Sequence, residues 1–109
     1  MKMLKGNTVT FGDDVIELDD NHPLDYLVMK AAMDVDDAYG ALDRALYQVA
    51  RDTESAQKAL HSGHMVNALG VYQTTAVRAD QAAATYAAEI EKLRMTIWAL
   101  KNTRKAEAK

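Results

Sequence analysis

Two runs of apolar side chains, each spaced alternately by three and four residues, occupy most of this 109-residue chain. In the second run Leu69, Tyr72, Ala76, Ala79, Ala83, Tyr86, Ile90, Leu93, Ile97 and Leu100 follow one another without a slip. A mean period of about 3.5 residues keeps them on one seam of a helix and demands a helix opposite. The first run is Leu24, Val28, Ala31, Val35, Ala38, Leu42, Ala45, Val49, Ala56 and Ala59, interrupted only by Asp52. A flanking stripe of Ala32, Tyr39, Leu46 and Leu60 widens it to the apolar sector of a bundle helix. One proline and five glycines leave long stretches without a breaker, so the expected fold class is all-α.

The two seams belong to two helices. Continuing the first past Leu60 requires apolar residues near positions 63, 64 and 67, where Gly63, His64 and Asn67 stand. The phase breaks at His61-Ser62-Gly63-His64, which offers a C-terminal capping glycine and a new start. Asp19-Asp20-Asn21-His22-Pro23 marks the beginning of the first helix, with Pro23 in its first turn and Asp25 at the positive end of the dipole. The reading is a long antiparallel helical hairpin over 23–102, with helix 23–60, bend 61–64 and helix 65–102. Each arm is ~55 Å long at 1.5 Å per residue. Residues 1–22 form an N-terminal arm or short β-hairpin, in which Val9 and Phe11 alternate with Thr8 and Thr10 before a Gly12-Asp13 turn. Residues 103–109 are read as a basic tail.

Charge is unevenly spread. Residues 1–22 carry five acids and two bases, whereas residues 92–109 carry six bases and Glu107 alone. An antiparallel hairpin sets the acids Asp13, Asp14, Glu17, Asp19, Asp20 and Asp25 beside Lys101, Arg104 and Lys105, so the basic segment is expected to neutralise the acidic end. A net charge of −3 and the shortness of the basic stretch make nucleic acid an unlooked-for partner. A nucleic-acid or anionic-surface binder working through that segment stands as an alternative function. With no apolar run of the ~18 residues a span needs, no membrane helix is expected. The start Met1-Lys2-Met3-Leu4-Lys5 lacks a signal-peptide apolar region, so the expected location is the cytoplasm.

Two helices cover only part of each other. A further stripe of Val77, Ala84, Ala88, Met95 and Trp98 runs along the second helix away from its seam. The expected solution is a homodimer whose hairpins form a four-helix bundle or coiled coil, the ten seam residues from Leu69 to Leu100 carrying self-association. Met95, Trp98, Lys101, Arg104 and Lys105 are the candidate surface for a second protein partner. For Trp98 itself the expectation is packing against the N-terminal arm through Phe11 or Ile16.

Chemistry has few candidates. There is no cysteine, and Ser55 and Ser62 lie outside any nucleophile-elbow pattern. His61 and His64 have no nearby third ligand, so a polar turn is expected there and no metal. Asp34, Asp36 and Asp37 lack a matching acidic or histidine set on the second helix and read as a solvated face. No Gly-rich phosphate loop occurs. No catalytic residue, metal ligand or cofactor is assigned.

The plan resembles the WXG100 (ESAT-6-like) proteins in its small helical hairpin, short bend and near-equal arms. The bend His61-Ser62-Gly63 matches the glycine of that family's Trp-x-Gly motif and lacks its tryptophan. Its Tyr-x-x-x-Asp/Glu motif is missing too: Tyr86 is followed four residues later by Ile90, and Tyr72 by Ala76. The resemblance implies dimerisation and export without a signal peptide, and it transfers no functional residue. From the residues themselves the expected function is non-enzymatic, carried by self-association and protein–protein contact in an assembly, adaptor or regulatory role. Small proteins of this kind are frequent in bacterial and phage genomes.

Overall fold

Three short strands precede two long helices: β1 (Leu4–Lys5), β2 (Thr8–Phe11), β3 (Asp14–Glu17), α1 (Pro23–Ser62) and α2 (Met65–Ala108). The computed structural model describes residues 2–63 and 65–108, and the side chains of 65–69 lie outside the description. Leu69 of the seam and His64 of the histidine pair therefore fall outside the described side chains. The chain divides into two packing units, Met1–Ala38 with Ala87–Lys109, and Tyr39–Tyr86.

In the first unit the strands form one antiparallel sheet in the order β1-β2-β3. Leu4 faces Val9, and Val9 faces Ile16. The alternation of side chains therefore sets these three on one face, while Thr10 and Val15 pair on the other. Both connections are two residues long, and both begin with a glycine of positive φ, Gly6 and Gly12 at 60°. Glycine at the first central position is the requirement of the type II′ turn, whose twist suits a hairpin. The arm is thus a three-stranded meander. The Gly12-Asp13 turn falls as expected, and a further strand was hidden before Gly6-Asn7.

Pro23 opens α1, and the carbonyl of His22 accepts the Tyr26 N–H at 3.0 Å. Val28, Ala31, Ala32, Val35 and Ala38 bury one face of α1. Leu93, Ile97 and Leu100 of α2 are buried likewise, as are Val9, Ile16 and Leu18 of the arm. The helices run antiparallel. Asp25 pairs with Arg104 and Asp34 with Lys92, so advancing along α1 retreats along α2. Val9, Val28, Val35, Leu93 and Leu100 are nearly inaccessible. Full burial of such side chains is worth roughly 1.5–3 kcal/mol each, so the sheet-bearing unit carries the stability of the fold.

The second unit is built differently. Its helical stretches of α1 and α2 meet through Tyr39 and Tyr86, whose rings lie 6.0 Å apart edge to face. Gly63 ends the first stretch with φ of 81°, a conformation that costs other residues strain. Among the described residues of this unit only Thr75 and Ala79 are buried. Thr75 turns its hydroxyl back to the carbonyls of Val71 and Tyr72, at 3.2 and 3.0 Å. Asp52 stands on the inner seam with one carboxylate oxygen buried and without a hydrogen-bond partner.

The boundary expected after residue 102 is absent. α2 continues to Ala108, so the basic segment is the end of a helix. Ala, Lys, Arg and Glu dominate that stretch, and none of them stops a helix.

Candidate interaction surface and charged clasp

The acidic first turn of α1 and the basic end of α2 meet at Asp25. Its side chain is almost fully buried, and one oxygen accepts both the Asp19 backbone N–H at 2.7 Å and Arg104 Nη2 at 3.0 Å. Arg104 Nη2 also donates to the Glu17 carbonyl at 2.7 Å, joining strand β3 to the helices. Lys101 Nζ pairs with Asp14 at 2.8 Å. His22 lies between two carboxylates, with Nδ1 3.4 Å from Asp25 and Nε2 3.7 Å from Glu107, and makes no hydrogen bond through Nδ1. The basic segment thus neutralises the acidic end, as its charge pattern suggested.

The acidic cluster on α1 is not a uniformly solvated face. Asp36 accepts the backbone N–H groups of Met3 and Leu4 at 2.7 and 3.1 Å, fixing β1 to the helix. Asp34 accepts from Lys92 Nζ at 3.0 Å. That hydrogen bond is the main reason the Lys92 ammonium holds its proton above the ordinary pKa of 10.5, with lesser help from Glu89. Only Asp37 is simply exposed. A carboxylate that anchors a neighbouring strand looks the same in sequence as one facing water, so no local signal marked Asp36.

The expected self-association seam splits along its length. Leu93, Ile97 and Leu100 are covered within one chain, and Ala79 is as well. Tyr72, Ala76, Tyr86 and Ile90 are half-buried, and Ala83 is exposed. The large side chains at the C-terminal end of the seam therefore have no free surface to offer a second copy.

Trp98 corrects another expectation. It is 68% exposed and does not pack under the N-terminal arm, whose inner face is filled by Val9, Ile16 and Leu18. It lies on the side of α2 away from Leu93, Ile97 and Leu100. With Arg94, Met95 and Ala99 it lines a shallow surface recess, and Met95 is 64% exposed. Of the basic residues assigned to this surface, Lys101 and Arg104 are committed to Asp14 and Asp25, while Lys105 is exposed.

Among the described residues no three His, Asp or Glu side chains are grouped so as to hold a metal ion, and no helix is long and apolar enough to cross a membrane. No family model, curated protein or solved structure matches the chain.

Proposed function

We propose that this chain is a non-enzymatic interaction protein that works by self-association, in an assembly, adaptor or regulatory role. The observation that carries the reading is the surface it leaves in water. The chain exposes 7655 Å². A folded monomer of 12.0 kDa has an accessible surface of roughly 6,000 Å². The surplus of about 1,700 Å² exceeds the ~800 Å² that one partner contributes to a standard interface and falls in the range of obligate homodimers. Leu27, Met33, Leu46, Tyr47, Leu60 and Val77 are each more than half exposed, so much of that surface is apolar.

Met95 and Trp98 are the surface for a second protein. Tryptophan is over-represented among binding hot spots, and here it stands on a well-cored unit that can present it rigidly. The anionic-surface alternative draws less support, because Lys101 and Arg104 already neutralise acids of their own chain. Light scattering over a range of protein concentrations tests the self-association reading. A mass of twice 12.0 kDa is expected. A mass that stays at 12.0 kDa at every concentration overturns it.

A further inference from the structure

We infer that the self-association surface is the exposed α1 stripe of Tyr39, Leu46, Ala50 and Leu60, and that its occupant is a second copy of this chain. The inference rests on the self-association reading and assigns it a place.

The two units differ in what they bury. The sheet-bearing unit buries large side chains from β2, β3, α1, α2 and the connection at Leu18, whereas Tyr39–Tyr86 buries only Thr75 and Ala79 among its described residues. Alanine and threonine contribute little area, and the inner seam also holds the unpaired Asp52 oxygen. Helical stretches of this length gain most of their stability from packing an apolar face, and here that face is largely wet. Tyr39, Leu46 and Leu60 are 40%, 54% and 56% exposed and recur at intervals of seven and fourteen residues, so they share one side of α1. Ala50, four residues beyond Leu46, continues the stripe and is exposed. The stripe borders the inner seam of Leu42, Ala45, Val49 and Ala56, which is already half-covered. A helix laid on it extends an existing apolar face, as a bundle does.

Two arguments select a second copy. The surface surplus of about 1,700 Å² per chain matches what an obligate dimer buries on each subunit. Cover that binds only the folded segment stabilises it in proportion to its own concentration, and another copy of the chain rises in concentration with the chain itself. The buried Leu93, Ile97 and Leu100 are excluded as the interface because their own unit covers them.

The chain has no cysteine, so one introduced thiol reports its own surroundings. The test compares the full-length chain with Leu46→Glu by light scattering, and measures maleimide labelling of Ala50→Cys and Ser55→Cys, with and without Leu46→Glu. Ser55 is exposed and lies off the stripe. The expected result is a dimer whose dissociation constant rises roughly 30-fold or more in Leu46→Glu, the loss of one buried anchor. The Ala50→Cys thiol is expected to react slowly in the dimer and fast after Leu46→Glu, with Ser55→Cys fast throughout. Should Leu46→Glu unfold the segment, equal labelling of the two thiols in the otherwise unchanged dimer still overturns the inference. A dimer indifferent to Leu46→Glu overturns the assigned surface and leaves self-association standing. A chain that is monomeric at every concentration overturns both.

Discussion

Asp36 and Arg104 close opposite edges of one small sheet, each from a different helix. Asp36 on α1 takes the N–H groups of Met3 and Leu4 at the β1 edge, and Arg104 on α2 donates to the Glu17 carbonyl at the β3 edge. A three-stranded sheet with strands of two to four residues has little to hold it together except what it packs on. Its free edges also invite pairing with other chains. Here charged side chains answer both problems: acceptors meet the exposed donors of one edge, and a donor meets an exposed acceptor of the other.

Replacing Asp36 with alanine leaves two part-buried N–H groups without their acceptor. The expected cost is about 1–3 kcal/mol of stability, since an orphaned donor loses its bond and remains partly desolvated. Asp36→Asn keeps one acceptor oxygen and falls between. Hydrogen exchange locates the effect: Met3 and Leu4 amides are expected to lose protection while the Val28–Ala38 amides keep theirs. Equal loss in both regions would mean that Asp36 supports the helix packing as a whole.

Arg104 tests the other edge through geometry. Its Nη2, which lies one bond further along the side chain than a lysine Nζ, donates to both the Asp25 carboxylate and the Glu17 carbonyl. Arg104→Lys keeps the charge and is expected to retain one of the two contacts, costing about 1 kcal/mol. Arg104→Met leaves Asp25 buried without its cation and is expected to cost more, about 1–3 kcal/mol, with partial exposure of the pair holding it below the fully buried range. Chemical denaturation separates the two. Equal stabilities of the lysine and methionine variants would show that the charge contributes nothing.

These contacts also show what a sequence discloses. The two seams, the break at Gly63, the start at Pro23 and the Gly12-Asp13 turn are local patterns of period, capping and turn chemistry. The break, the start and the turn fall as read, the first seam turns inward, and the described second seam does so except at Ala83. Strand β1 was legible in principle, since Gly6-Asn7 repeats the glycine-first signature of Gly12-Asp13, but two residues are too short to show alternation. The helical end of α2 was legible too, because nothing after residue 102 breaks a helix. Asp36 was not, since its partners lie 32 and 33 residues away. Nor was the outward direction of Trp98. The seam period shows which side chains share a face, and tertiary packing decides which face the sheet then covers.

Asp52 offers a stabilising substitution. It stands at a seam position where the period calls for an apolar residue, and its second carboxylate oxygen is buried without a partner. Its other oxygen accepts from the exposed Gln48 at 3.1 Å. Asp52→Leu removes the unsatisfied group and extends the seam, with an expected gain of about 1–2 kcal/mol. The gain reads as a higher denaturation midpoint at fixed protein concentration. A lower midpoint would mean that the carboxylate has a partner in the assembled protein.

Lys92 makes the alkaline limb of the stability profile testable. Its pKa is raised in the folded chain, chiefly by the hydrogen bond that its ammonium donates to Asp34, so the folded state binds the Lys92 proton more tightly than the unfolded state does. The contribution to stability is therefore complete below the ordinary value of 10.5 and is lost as pH rises through the raised one. Denaturation of wild type and Lys92→Met from about pH 8 to about pH 12 is expected to show a constant gap that closes only at the alkaline end. A gap that closes near neutrality would assign it to another group.

The contrast between Leu93 and Trp98 separates what folds this chain from what it presents. The two lie five residues apart on α2, one fully buried and the other 68% exposed. Leu93→Ala opens a cavity in the unit that carries the core, and the expected cost is about 2–5 kcal/mol. Trp98→Ala removes a larger side chain, yet the expected change is within about 0.5 kcal/mol, because that side chain has little contact to lose. A thermal melt of the two variants beside wild type checks both. If Trp98→Ala melts normally, exposure of so large an apolar group brings the fold no gain, and the surface proposed for a second partner keeps its centre. If it destabilises as Leu93→Ala does, Trp98 is a core residue after all, and the surface proposed for a second partner loses its centre.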